Sequence, residues 1–245
     1  MIIKSKKENT VKLDALFFGA HPDDVELNCG GTIISLVESG KRVGIADITK
    51  GELSTRGDLK TRKTETETAS KILGISSREN LNIKDGGIRI NDENIKKVIQ
   101  IIRRYKPELV FAPYPHDRHP DHENASNLIR ESFFYSGLVK IKTGNLEAYR
   151  PKRIIYYRNA YDAPVSFIFD ITAAYKKKIE VLKCYGSQFY DVNRKEPETF
   201  ISTKLFVYEV ESRARHFGFK IGVEFGESYF SYDAVKVNTD TLFKI

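Results

Sequence analysis

The 245 residues predict an α/β chain: a Rossmann-like, doubly wound, mostly parallel sheet with an irregular C-terminal extension, in a single domain. Three observations predict it. Short apolar runs alternate with longer amphipathic stretches through the first half, which is the rhythm of βαβ units. The length suits one large α/β domain, whose core outweighs chain entropy without staples. The composition, 40% hydrophobic and 30% charged, is that of a folded globular chain. The core is expected over about 11–135 and the extension over about 136–245.

Residues 13–19 (LDALFFG) read as a buried strand, 31–39 as a helix stopped by Gly40, and 42–48 (RVGIADI) as a second strand. Next come a charged helix over 59–73 ended by Gly74, a short strand over 80–83, and a helix over 91–105 capped by Asn91 or Asp92. Residues 108–112 (ELVFA) form a fourth strand, and a helix runs from near Pro120 to about Tyr135. The pattern breaks into a polar, glycine-containing stretch over 137–153. Beyond it, 153–157 and 165–170 read as strands, 173–184 as a helix, and 199–217 as a helix entered after Pro197. In the common strand order 3-2-1-4 the order reverses between the first and fourth strands, and ligands of such sheets sit there, beyond the carboxyl ends.

Composition narrows the function. Cys29 and Cys184 lie far apart in no metal-type pair, so neither a disulfide framework nor a cysteine zinc site is expected, and a reducing cytoplasm fits best. No run approaches the roughly 20 apolar residues of a spanning helix, and the lysine-rich start (MIIKSKKENT) has no apolar stretch behind it before Val11. The chain is therefore expected to be neither exported nor membrane-embedded. Forty Lys and Arg against 33 Asp and Glu give +7, but these residues are spread without an arginine-rich block or an RNA-binding signature. No nucleic-acid partner is expected.

The two loops at the predicted reversal hold four of the five histidines: Ala20-His21-Pro22-Asp23-Asp24-Val25-Glu26 after the first strand, and Pro113-Tyr114-Pro115-His116-Asp117-Arg118-His119-Pro120-Asp121-His122-Glu123 after the fourth. Pro22 and Pro120 start helices and hold His21 and His119 extended. Asp23, Asp24 and Asp121 then fall at helix N-termini, where the dipole favours a carboxylate. Capping explains the aspartates but not histidines on both sides, whereas a divalent cation with nitrogen and oxygen ligands explains both. A two-histidine, one-carboxylate set suits zinc and also ferrous iron, Fe2+. A dinucleotide site is excluded, because Gly30 and Gly31 come too late for a phosphate loop and two aspartates would repel the phosphate. Those glycines read as close packing of the first helix, Cys29 as packed beneath it, and His216 as structural.

The motifs AHPDD and HPDH, within GAHPDDVELNCGGTI, DITKGELSTRG and FAPYPHDRHPDHENA, resemble the zinc-dependent LmbE-like, or PIG-L, deacetylases of N-acetylglucosamine conjugates. They are similar in particular to the bacterial branch that deacetylates N-acetylglucosaminyl malate on the route to bacillithiol. The resemblance covers at least 13–137, and YGSQF at 185–189 is similar too. Asn28 departs from it, standing where that branch is expected to have glycine. The resemblance implies His21, Asp24 and His122 as Zn2+ ligands with a position left for water, and Asp23 as the general base. It implies His119 across the acetyl carbonyl, with Asp121 holding its ring and favouring its protonated form. Either Asp23 or His119 would protonate the leaving amine. Arg56 is implied as a substrate contact suited to a carboxylate, Arg118, beside His119, is a second candidate for binding an anion, and Gln188 and Tyr185 are expected to line the sugar pocket. The resemblance also implies a homo-oligomer, often a hexamer; the polar stretch 137–161 reads as an interface or a lid. Rival readings are a deacetylase of a chitin-type oligosaccharide, a metal-dependent phosphoesterase and a non-enzymatic sugar-binding module.

Overall fold

The apolar runs assemble into one seven-stranded sheet, in a computed structural model that describes residues 11–234 and 236–242. The lysine-rich residues 1–10 lie outside the described residues. The strands are β1 (Ala15–Gly19), β2 (Val43–Asp47), β3 (Ser77–Asn80), β4 (Leu109–Pro113), β5 (Arg153–Tyr157), β6 (Phe167–Asp170) and β7 (Gly226–Phe230), in the order β3-β2-β1-β4-β5-β7-β6. β1 to β5 run parallel, and β7 pairs antiparallel with both β5 and β6. The expected 3-2-1-4 order is present, and its reversal lies between β1 and β4.

Parallel strands need helical crossovers, and these bury both faces of the sheet. α1 (Asp24–Glu38), α2 (Leu59–Leu73) and α5 (Tyr175–Lys183) cover one face, where Phe17, Ile33, Ile45, Leu73 and Val181 pack together. α3 (Asp92–Tyr105) and α4 (Pro120–Ser136) cover the other, where Leu16, Phe18, Ile102, Leu128 and Ile129 meet. Alternate residues of β1 therefore serve opposite cores, as the period of a strand requires. Side-chain caps set the helix starts: Asp58 accepts from the Thr61 amide at 2.7 Å and Asn91 from the Asn94 amide at 2.9 Å. α6 (Lys204–Lys220) packs on β7, and α7 (Thr239–Leu242) follows.

Three elements differ from expectation. The third strand lies at 77–80 rather than 80–83, because its register is set by β2, from Gly44 opposite Ser77 to Asp47 opposite Asn80. Its polar sequence is tolerated at the sheet edge, where Arg78 turns inward to Asp47 and Glu26. α1 begins at Asp24 and runs through Gly30 and Gly31; a Cβ on Gly31 would stand 2.7 Å from the Ile171 side chain, so this glycine permits the close approach. The helix expected over 199–217 is a 3-10 turn at Phe200–Ser202 followed by α6. β7 (GESYF) shows no alternation and carries no strand signal of its own. Among the described residues, no helix is long and apolar enough to cross a membrane.

Candidate metal centre

The β1–α1 connection turns within a few residues, and its tightness falls on Asp23. This residue takes φ 120°, a conformation strained for any side chain but glycine, and such strain persists where the surroundings over-determine it. The turn buries both Asp23 and Asp24. The His21 amide donates to Asp24 Oδ2 at 2.9 Å. Across the switch point, His119 caps α4 with Pro120 behind it. Asp117 ties that loop together: Oδ1 accepts from the His119 amide and from His122 Nδ1, each at 2.9 Å, while Oδ2 accepts from the Ala160 amide at 2.8 Å.

These turns bring His21, Asp24 and His122 together with their ligand atoms all within 4.8 Å of one another. His122 Nε2 lies 3.2 Å from Asp24 Oδ1, and His21 Nδ1 lies 3.6 Å from Asp24 Oδ2. The other nitrogen of each ring meets a carboxylate, Asp117 for His122 and Asp85 for His21, the latter at 3.1 Å. Imidazoles that ligate metals have their second nitrogen held in this way. The nitrogen and oxygen donors fit zinc or ferrous iron. A second group, His21, Asp85 and Asp121, meets the same distance limit and shares His21.

The electrostatics favour a cation here. Burial opposes charge on both rings, yet Asp121, Asp24 and Asp85 hold the His21 proton well above the usual histidine value. Against the same penalty, Asp24 and Asp117 raise His122 to about 9. Asp24 is pulled well below the carboxylate range, because the attraction of His122 and His21 outweighs its burial. Protons thus stand where a divalent ion would balance the carboxylates. Asp23 differs from its neighbour: burial raises it to about 7, partly offset by Arg62, whose Nη2 lies 3.3 Å from Asp23 Oδ2 and also donates to the Pro22 carbonyl.

His119 joins the cluster, its ring 4.8 Å from that of His122 and 4.9 Å from that of His21. The expected pairing of the Asp121 carboxylate with the His119 ring does not occur. The backbone amide of Asp121 donates to His119 Nδ1 at 3.2 Å, while its carboxylate accepts from the Gly86 amide at 2.7 Å and lies 3.7 Å from His21 Nε2. Burial and the charges of His122 and His21 hold His119 below the usual value, so the expected protonated form is not favoured either. His116 stands apart against Tyr114, and His216 packs beside Phe217.

The expected substrate-binding residues make no hydrogen bond or ion pair with this cluster among the described residues. Arg56 is buried, its Nε donating to the Ser187 carbonyl at 2.9 Å and its Nη2 lying 3.8 Å from Glu196. Gln188 braces the same loop, donating to the Arg56 carbonyl and accepting from Ser54 Oγ. Arg118 lies over the Phe200 ring at 4.2 Å. Tyr185 does not line a pocket: it is fully buried and its hydroxyl donates to Glu26. Asp85, Asp117 and Arg62 escaped the sequence reading. The only available signal was the position of Asp117 inside the histidine loop.

The family model described as PIG-L, GlcNAc-PI de-N-acetylase, matches residues 16–133, the stretch that carries both loops. A conserved protein of Thermus thermophilus, TT1542, has a solved structure that superposes with a TM-score of 0.84 at 33% identity, over 93% of this chain and 98% of that one. The chain belongs to the PIG-L family. It is also 29% identical over 180 residues to the diacetylchitobiose deacetylase of Thermococcus kodakarensis, covering 69% of this chain and 67% of that protein. A 4-oxalmesaconate hydratase of Pseudomonas putida is 25% identical over 207 residues, 74% of this chain and 76% of that one. Relatives of this chain thus carry more than one reaction name.

Proposed function

We propose that this protein is a metal-dependent hydrolase that removes the acetyl group from an N-acetylglucosamine conjugate, most specifically N-acetyl-α-D-glucosaminyl L-malate in the cytoplasmic synthesis of bacillithiol. The observation that carries the reading is the group His21, Asp24 and His122 at the switch point, with a buried carboxyl raised to about 7 on the adjoining residue, Asp23. A divalent ion on those three ligands supplies Lewis-acid polarisation of the amide carbonyl and a more acidic water. Asp23, near neutral in its balance of forms, takes the proton from the attacking water. His119, with Nδ1 engaged by a backbone amide, presents Nε2–H to the developing oxyanion. The leaving amine takes its proton back from Asp23, because His119 is held neutral. Arg56, whose Nη2 has no closer partner than Glu196 at 3.8 Å among the described residues, is the proposed grip on a substrate carboxylate, and Arg118 and Gln188 complete the mouth.

A homo-oligomer is proposed as well. Leu205, Tyr208 and Phe219 of α6 are exposed, an arrangement that suits burial against another copy; sedimentation at fixed metal content tests it.

The deciding experiment measures acetate release from the malate conjugate beside N-acetylglucosamine, with zinc-loaded protein, chelated protein and Asp23→Ala. Preference for the conjugate, abolished by chelation and by Asp23→Ala, supports the full reading. Equal slow turnover of both sugars, or faster turnover of a chitin-type disaccharide, retains the deacetylase and removes the malate assignment. Hydration of an unsaturated tricarboxylate without acetate release would replace it with the hydratase chemistry.

A further inference from the structure

An opening among the described residues lies away from the histidine cluster. A cleft of about 500 Å³ lies between α6 and the loop that leaves β5, within the size range of small-molecule sites. Arg158, Arg213, His216 and Lys220 line it, opposed by Asp162 and Glu209. The opposing acids do not saturate the cations. Asp162 pairs with Arg158 at 2.9 Å, but its side chain is 92% exposed, so water screens the pair and a ligand can take its place. Glu209 stands 3.7 Å from Arg158 and 3.6 Å from Arg213, beyond hydrogen-bonding distance of either.

Unpartnered polar atoms collect at the same place. Among the described residues the donors Arg158 Nε, in the cleft wall, and Asn159 Nδ2, on the adjoining residue, are buried without a hydrogen-bond partner, whereas buried groups of this kind are nearly always paired; Glu209 Oε2 is unpartnered too, but as an acceptor it opposes an anion and does not receive one. Asn159 is only 8% exposed. Arg213 gives Nη1 to Asn28 Oδ1 and to the Asn159 carbonyl, each at 3.2 Å. Burial, with Arg158 beside it, holds its guanidinium below the ordinary arginine value, the mark of an under-compensated charge.

We propose that this cleft is a second binding site, separate from the metal centre, that takes a small oxyanion, carboxylate or phosphate, on Arg158, Arg213 and Lys220. Two guanidinium forks and an ammonium suit the planar or tetrahedral oxygens of such a ligand. The occupant would stand one side chain from the metal ligands. Asn28, which receives Arg213, donates to the Asp24 carbonyl at 2.8 Å, and the residue after Asn159 holds Asp117 through its amide.

The test is calorimetric titration of the full chain, stripped of metal, with inorganic phosphate and separately with succinate. Single-site saturable binding of at least one anion is expected, weakened about tenfold or more in Lys220→Gln and Arg213→Gln, the loss expected when a charge-assisted hydrogen bond is removed. Lys220 is exposed, so its variant keeps the fold should Arg213→Gln fail to. The anion that binds more tightly identifies the ligand chemistry. Absence of saturable binding overturns the proposal. Binding that survives Lys220→Gln unchanged but is lost in Arg56→Gln also overturns it, by placing the anion at the mouth of the metal centre.

Discussion

The first half of the chain supplies the proposed reactive groups and the second half braces the loops that carry them. His21, Asp23, Asp24, Asp85, His119, Asp121 and His122 all precede β5. The extension touches this set through the Ala160 amide on Asp117, Asn159 against Asn28, and Ser187 on both Arg56 and Glu65. Farther back, Glu227 of β7 accepts from the Gly31 and Thr32 amides of α1 and from Lys178. The difference teaches that chemistry in this fold travels in short motifs at strand ends, whereas its geometry depends on single side chains far away in sequence.

The comparison breaks first at the ligands. His122→Ala is expected to abolish metal uptake and acetate release together, leaving the fold intact because the ring is part of the site and not of either core; metal analysis beside circular dichroism checks it. Turnover at the wild-type level without metal would end the division of roles. Next in size is Asp23→Asn, which keeps volume and removes the base. Turnover should fall by about 10²–10⁴-fold with metal content unchanged. With the wild-type carboxyl at about 7, activity should fall on the acid side of that value as the base is protonated. A bound cation adds to the effect of Arg62 and moves this limb lower. The variant should lose the limb.

These motif-borne effects are the ones that the sequence made legible. AHPDD and HPDH follow strands whose apolar runs are unmistakable, and the 3-2-1-4 order then brings the two loops together. Asp85 and Arg62 were not legible: one sits in a Lys-Asp-Gly-Gly turn and the other in a helix rich in Lys and Glu, and only tertiary contact distinguishes them from solvated residues. The stretch at 185–189 was legible as a motif but not as a contact. Its partners, Arg56, Ser54 and Glu65, lie more than a hundred residues earlier, and no local period encodes them. β7 failed for a related reason, since GESYF owes its strand to neighbours on both sides rather than to alternation.

The extension should fail differently. Glu227→Ala leaves the Lys178 ammonium buried and unpaired and takes an acceptor from two helix amides and the Thr32 hydroxyl, while Tyr229 keeps its bond to Thr32 Oγ1. Breaking a buried pair in this way costs about 3–5 kcal/mol. For a chain of this size that corresponds to a melting temperature lower by about 6–20 °C. Acetate release per folded molecule should change little. A variant with normal stability and crippled turnover would instead move Glu227 into the reacting group.

The smallest expected effect falls on the residue where the halves meet. Asp117 holds His122 Nδ1 with one oxygen and the Ala160 amide with the other. Asp117→Asn keeps the shape but removes the charge, and loss of such a carboxylate behind a ligating imidazole weakens metal affinity by about 10–100-fold. The proton competes for the same ring. Burial works against its charge, but Asp24 and Asp117 raise metal-free His122 from the usual value to about 9. In the metal-free protein this pairing therefore stabilises the fold fully below pH 6.5 or so, and the contribution is lost as pH rises through about 9. Metal affinity runs the opposite way, rising about tenfold per pH unit for each proton displaced until the ring is deprotonated. In Asp117→Asn the ring gives up its proton more readily, so its affinity curve should level off at a lower pH. Near neutrality the weaker ligand and the weaker competition partly cancel; above pH 9 only the weaker ligand remains. Competition titrations with a chelator at pH 7 and pH 9.5 separate the two, and a variant that binds as tightly as wild type at pH 9.5 would show that Asp117 anchors the loop without tuning the imidazole.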